Sequence, residues 1–295
     1  MFVNMKKRLF LLAAVSAFAC GQLFGAKLNL SGSDIIAPVL EKEAKTLLAA
    51  AGVDAEIDMK GTYFAIPDVL SGKSDAAVVA MPRAAILPEG LTALPFAYQA
   101  AVVVVNSVNP MEEISSKKLF DIYSASAAPR CETWAQAGVY DVSLRDIMPI
   151  STSYSDNVVV ELFKTEALGG TNIGLWVNMP ARRADILNMV KTNNSAIAVL
   201  GKATSGDMVK VLPVSRAGAG KNYAYKPDIE NFLNGDYPLT LPFYIVFKKE
   251  NTQKVKPLVK VLLDDKIAEL IDKSDFYAAP KNSRKKSIFE LDLVR

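Results

Sequence analysis

Histidine is absent from all 295 residues. That absence removes Ser-His-Asp and Cys-His catalysis, imidazole zinc ligation and His-based acid–base chemistry. Cysteine is scarce as well: only Cys20 and Cys131 occur, so a disulfide exists only if Cys20 survives processing. Cys131 reads as a small buried hydrophobe rather than a reactive thiol. No Gly/Ser tether, low-complexity tract or internal repeat interrupts the chain, so two lobes would have to be joined by strands passing between them. Net charge is almost missing too. The formal +3 comes from Lys6, Lys7 and Arg8; of 34 basic and 31 acidic side chains, 31 of each lie beyond residue 26. A neutral chain offers no electrostatic footprint for nucleic acid, and no such partner is expected. Beyond the first 26 residues no apolar run reaches the ~18 residues that a membrane span needs.

What is present begins with a secretion signal over residues 1–26. Lys6-Lys7-Arg8 precede the apolar run LFLLAAVSAFA, and Ala17-Phe18-Ala19 form a small-x-small cleavage pattern ahead of Cys20. Cleavage after Ala19 or nearer Ala26 gives a soluble periplasmic protein; Cys20 offers a second route, a lipid anchor.

Strand and helix patterns then alternate. LNLSGSDIIAPVLEKEAKTLLAAAG (28–52) reads as a short strand, a turn and a helix with an apolar stripe of Ile36, Val39, Leu40, Leu47 and Leu48. Strands are expected at 55–59, 74–81, 145–150, 196–203, 208–214 and 241–248. The Val102–Val105 run has the composition of a strand buried on both faces. Helices are expected over IPDVLSGK, over 114–126 with Ser115 or Ser116 as cap, over 158–168, from Pro180 to Val190, and as one amphipathic segment over VKPLVKVLLDDKIAELIDKS. This alternation predicts an α/β fold with mostly parallel sheets flanked by helices.

Three strand-to-helix turns share one composition: Ser31-Gly32-Ser33-Asp34, Gly61-Thr62-Tyr63 and Ser151 to Asn157. Each is rich in hydroxyl, glycine or amide residues and poor in charge. Helix starts leave backbone N–H groups unpaired, so such turns suit an anion. The plainer reading makes Ser33 or Asp34 an ordinary N-cap. Tyr63, Tyr154 and Trp134 read either as cleft lining or as core. The Lys281 to Lys286 tail reads as a solvated face or as a contact surface.

These stretches resemble the phosphate-binding periplasmic proteins of ABC importers, which have the type II periplasmic binding protein fold. SGSDIIAPVL, with Pro38, is similar to the family's first ligand turn. Gly61-Thr62 and Asp75 to Ala80 echo its second turn and following strand, and Pro95 to Pro110 match its crossing strand. Leu119 to Tyr123 with Trp134, AIAVL and YPLTLPFYIVFKK follow in family order. The resemblance spans roughly residues 28–280. It implies two lobes, 27–102 with 240–295 and 103–239, closing on a small oxyanion. It also implies a monomer that works with an ABC permease and has no catalytic step, cofactor or metal.

The ligand positions implied are Ser33, Asp34, Thr62, Tyr63, Ser153, Ser155 and Asn157, with Arg83 supplying charge. Residue by residue, the family's first-turn Thr-Phe falls on Asp34-Ile35 and its second-turn serine on Thr62. Its proton-accepting aspartate falls on Ala80, its arginine near Ser151, and its Ser-Gly-Thr on Ser155-Asp156-Asn157. Two charged elements are therefore missing. Either Arg83, Arg145, Arg182 or Arg183 restores the charge, or phosphate is not the ligand; the alternative function is a scaffold that keeps the fold without tight oxyanion capture.

Overall fold

The computed structural model describes residues 27–154, 157–219 and 223–294. The signal segment, Cys20 and Ser155 lie outside them. In chain order the first elements are β1 (Leu28–Gly32), α1 (Ala37–Ala50), β2 (Ala55–Asp58), α2 (Thr62–Ser71), β3 (Ala76–Ala80) and β4 (Leu91–Ala100). Next come β5 (Val102–Val105), β6 (Ile114–Ser115), α3 (Ser116–Tyr123), β7 (Met148–Ser151), α4 (Asn157–Ala167), α5 (Arg183–Thr192) and β8 (Ala196–Leu200). β9 (Lys210–Val211), β10 (Val214–Ser215), β11 (Ala224–Tyr225) and α6 (Ile229–Asn234) follow. The chain closes with β12 (Thr240–Lys248), α7 (Thr252–Leu262), α8 (Asp265–Lys273), β13 (Tyr277–Ala278) and α9 (Lys281–Leu293).

One six-stranded sheet has the order β13-β4-β12-β3-β1-β2, and a four-stranded sheet has the order β7-β8-β5-β9. A third, small sheet is β11-β10-β6. Side-chain alternation explains how the first is covered on both faces. Leu28, Leu30, Ala76 and Val78 share a core with Ile36, Leu40, Ala44 and Leu48 of the α1 segment. Ala77 and Val79 point the other way, onto Ala65 and Val69 of α2. The second sheet is built on β5 and β8, every residue of which is buried, packed with Tyr123, Trp134 and Phe163.

The sheets are mixed, which corrects the expectation of mostly parallel pairing. β1 runs parallel to β2 and β3, and β7 parallel to β8. β12, however, is antiparallel to both β3 and β4, and β5 is antiparallel to β8 and β9. The reason lies in the crossings. A strand that arrives from the other sheet, rather than through a local β-α-β connection, is free of the crossover constraint that enforces parallel pairing.

Both crossings sit at one place. The Val-rich run is two strands, not one: β4 ends at Ala100 in the first sheet and β5 begins at Val102 in the second. Between them the Ala101 N–H donates to the Leu239 carbonyl at 3.0 Å, and the Tyr237 hydroxyl donates to the Ala101 carbonyl at 2.8 Å. A second tie lies nearby. The Lys202 ammonium, just past β8, donates to the carbonyls of Asp272, Ser274 and Phe276 at 2.8, 3.3 and 2.6 Å and lies 4.6 Å from the Tyr277 ring centre.

Other boundaries also moved. The long C-terminal amphipathic segment is two helices, because Asp264 accepts from the Lys266 N–H at 2.9 Å and caps a new start. Ser115 does cap α3, accepting from the Lys118 N–H at 3.2 Å. The helix expected from Pro180 begins at Arg183. No helix among the described residues is long and apolar enough to cross a membrane.

Candidate functional site

The opening turn leaves β1 at Gly32 and reaches α1 only at Ala37. Its N-cap is Ile36, with no side-chain cap and Pro38 in the first turn, so neither Ser33 nor Asp34 serves as the cap. Ser33 is instead fully buried, and its N–H donates to the Val78 carbonyl at 2.7 Å. Its hydroxyl accepts from the Ile35 N–H at 3.4 Å. The turn is thus fixed to the end of the neighbouring strand β3.

The second turn is fixed to the first. The Gly61 N–H donates to the Gly32 carbonyl at 2.8 Å. Gly61 has φ +122° and ψ 149°, a conformation open essentially to glycine alone. Asp34 stands over it: a Cβ on Gly61 would lie 3.6 Å from the Asp34 carboxylate. The Thr62 hydroxyl accepts from the Ala80 N–H at 3.1 Å, leaving its own proton free to donate outward. α2 begins at Thr62, four residues earlier than IPDVLSGK suggests, and carries Pro67 inside it. Gly32, Ser33, Asp34, Gly61, Thr62 and Ala80 therefore form one cluster at the carboxyl ends of adjacent strands, where open α/β sheets bind ligands.

The third turn stands on the second sheet, at the carboxyl end of β7. There Ser151 pairs in register with Val199, and the Thr152 N–H donates to the Val199 carbonyl at 2.9 Å. Ser153 is half-buried and Asn157 opens α4. Tyr63 and Tyr154 are exposed, Tyr63 edge-on to Phe64 at 5.2 Å. Trp134 is not cleft lining: it is fully buried, and its indole N–H donates to the Ser195 carbonyl at 3.2 Å.

Charge is distributed differently from expectation. Arg83 makes its contact at the end of α6, donating to the Asn234 carbonyl at 2.8 Å, rather than with the donor turns. Arg182 and Arg183 are ion-paired with Asp185 and Asp207, and Lys60, beside the second turn, with Asp58. Hydrogen bonds from Arg182 hold the Asp185 carboxyl below the usual range. Sequence reasoning missed two groups. Among the described residues the buried hydroxyls of Ser31 and Ser151 have no hydrogen-bond partner. Each sits at a strand end immediately before a donor turn, a pairing visible in the sequence as serine ahead of a Ser-rich turn.

Gly32 is held by close approach. A Cβ there would lie 2.5 Å from the Met59 sulfur and 2.6 Å from the Val78 carbonyl oxygen. The thioether can move; the carbonyl, which accepts the Ser33 N–H, cannot. Gly32→Ala is expected to cost about 1–3 kcal/mol, read as a melting temperature lower by roughly 2–12 °C at about 2–4 °C per kcal/mol for a chain near this size.

With this geometry in place, comparison with known proteins is decisive at one level. A model of the PBP superfamily domain matches residues 21–266. The chain belongs to that superfamily. Among PBP relatives, the phosphate-binding protein PstS of Pseudomonas aeruginosa is 24% identical over 211 residues, covering 68% of this chain and 64% of that protein. The chain thus matches under two thirds of that relative's length. A possible phosphate binding protein from Planctomyces limnophilus superposes with TM-score 0.69 at 16% identity, covering 92% of this chain and all of the other. PstS from Borrelia burgdorferi gives 0.68 at 14%, covering 86% and 99%. At these identities the structural likeness is one of fold: the two-lobed architecture of periplasmic binding proteins.

Proposed function

We propose that this PBP-superfamily chain is a periplasmic solute-binding protein that captures a small oxyanion between two lobes, 27–102 with 240–295 and 103–239. It hands the solute to an ABC permease, acts as a monomer and catalyses nothing. The observation that carries the reading is the fused pair of donor turns at the ends of β1 and β2, held to the end of β3. These present the first-turn N–H groups of α2 and the Thr62 hydroxyl beside a buried, unpaired Ser31. Ser153 and Asn157 face them from the β7–α4 turn once the lobes close, in the hinge manner of two-lobed binders.

The donors are neutral. A neutral hydrogen bond contributes about 0.5–1.5 kcal/mol and a charge-assisted one about 1.5–3, so losing the arginine and aspartate of the resembled family weakens capture. Asp34, exposed at the mouth, opposes a fully ionised anion and favours a protonated one. Melting temperature measured against phosphate, sulfate, molybdate and tungstate tests this. At least one anion at millimolar concentration is expected to raise it, since ligand at 100 times Kd stabilises by about 2.7 kcal/mol. Indifference to all four would favour the scaffold reading.

A further inference from the structure

A cavity of about 220 Å³ opens where residues following β3, the end of α4 and the α6–β12 connection meet. It is lined by two arginines from different sheets' chain segments, Arg83 after β3 and Arg216 after β10, with Glu166 as the acidic lining residue. Both guanidiniums anchor on consecutive residues at the end of α6. Arg83 donates to the Asn234 carbonyl at 2.8 Å and Arg216 to the Gly235 carbonyl at 3.1 Å. Gly235 makes this arrangement fit. It is the left-handed C-cap of α6, with φ +80°, and a Cβ there would lie 2.6 Å from Arg83 Cδ and 2.8 Å from Nε. Only a residue without a side chain lets the guanidinium lie against the turn.

These arginines, like the exposed Arg145, stand apart from the ion-paired ones. Arg130, Arg182, Arg183 and Arg284 each have a carboxylate partner. Among the described residues Arg83 and Arg216 form no ion pair, although Arg216 is close enough to Glu166 to oppose the upward push that burial exerts on its carboxyl. Arg83 acts likewise on the half-buried Tyr244 phenol, which burial also pushes up. Each guanidinium spends one N–H on a carbonyl and keeps four. Within the cavity lining two cations stand against one carboxylate, Glu166; Asp236, next along the turn, lines the neighbouring pocket with Arg216. Planar guanidinium forks match oxyanions best.

We infer that this cavity is an anion site separate from the donor turns, in which Arg83 and Arg216 together hold a small multivalent oxyanion. The volume suits such an ion with a few waters, at about 30 Å³ per water, and is small for a larger metabolite. Because one arginine follows β3 and the other β10, the bound ion ties the first sheet's chain to the second lobe and opposes opening. The inference stands whether or not the donor turns hold the transported solute.

Isothermal titration of the mature chain with inorganic phosphate, and separately with sulfate, at low ionic strength tests it. Arg83→Gln and Arg216→Gln are each expected to weaken binding at least tenfold, and the double variant to abolish that event. Thr62→Ala should leave it intact. Arg83→Lys, which keeps charge but loses the fork, should fall between, and serves if a glutamine variant fails to fold by thermal unfolding. Unchanged binding in the folded double variant overturns the site. If Thr62→Ala alone removes the event, the donor-turn reading stands and this one falls; if only the arginine variants remove it, the reverse holds. No binding event in the unsubstituted protein overturns this site and, at the donor turns, phosphate and sulfate as solutes.

Discussion

Replacing Arg284 with alanine is expected to lower the melting temperature by roughly 10 °C. The side chain is almost wholly buried within what the sequence presents as a basic tail. Its guanidinium donates to the Ala279 carbonyl at 3.0 Å, the Leu263 carbonyl at 2.7 Å and the Asp265 carboxylate at 2.8 Å. Leu263 is the C-cap of α7 and Asp265 the first residue of α8. One cation therefore closes the end of α7, where the helix dipole favours positive charge, and clamps α9 across the α7–α8 junction. Alanine strands two buried carbonyls, at about 1–3 kcal/mol each, and removes a pair whose carboxylate is exposed; the loss is converted at about 2–4 °C per kcal/mol. Arg284→Lys retains the charge but not the fork, and should lie between. The difference narrows in acid. Hydrogen bonds from Lys281 and Arg284 hold the Asp265 carboxyl below its ordinary value of 3.8. Its contribution is thus complete above that value and is lost as pH falls through the lowered folded one. Thermal unfolding of both variants across pH 2–7, a range of about five units spanning that titration, checks the size and the sign.

Trp134→Ala is the second large effect, about 3–5 kcal/mol by the usual cost of emptying a large buried site. Residues 127–147 hold little regular structure, and Trp134 is their anchor. Its indole enters the second core, its backbone N–H donates to the Arg145 carbonyl at 2.9 Å, and its carbonyl accepts from the Val139 N–H at 2.8 Å. Urea unfolding should show a lower midpoint with an unchanged slope, the mark of lost stability rather than altered exposure on unfolding. Phe at this position, which keeps the ring but loses the bond to Ser195, should cost less than half as much. A tryptophan fixed this deeply is also a poor reporter of solute. Trp176 is half-buried with the Arg130 guanidinium 4.3 Å from its ring centre; calorimetry depends on neither ring and is the better readout.

The alternation of β and α patterns is enough to place the longer strands and most helices. α9, which reads as a basic tail, and the two-residue strands β6, β11 and β13 carry too weak a pattern to be found, and β9 and β10 read as one strand. What sequence periodicity does not carry is direction and destination. Ala93 to Val105 is apolar but for Gln99 whether it serves one sheet or two; the break at Ala101 is set by a hydrogen bond to Leu239, 138 residues away. The junction between α7 and α8 is equally hidden, since Leu262 and Leu263 are both buried and continue the stripe. The donor turns were legible from composition, and two of them do meet. The arginines were not, because an arginine's partner is fixed by tertiary structure: Arg183 found Asp207, Arg284 found Asp265, and Arg83 found a carbonyl.

The position of β12 in the first sheet bears on how the chain is made. β12 lies between β3 and β4, so residues 240–248 fill the middle of a sheet whose other long strands are complete by residue 100. The strands of the second sheet, from β5 to β9, are all synthesised before that filler exists. During elongation the second sheet has everything it needs while the first has a central gap, with the edges of β3 and β4 unpaired. Such edges invite wrong partners. Export of the unfolded chain, which the proposed periplasmic role entails, would keep that half-built sheet out of the compartment where it is translated.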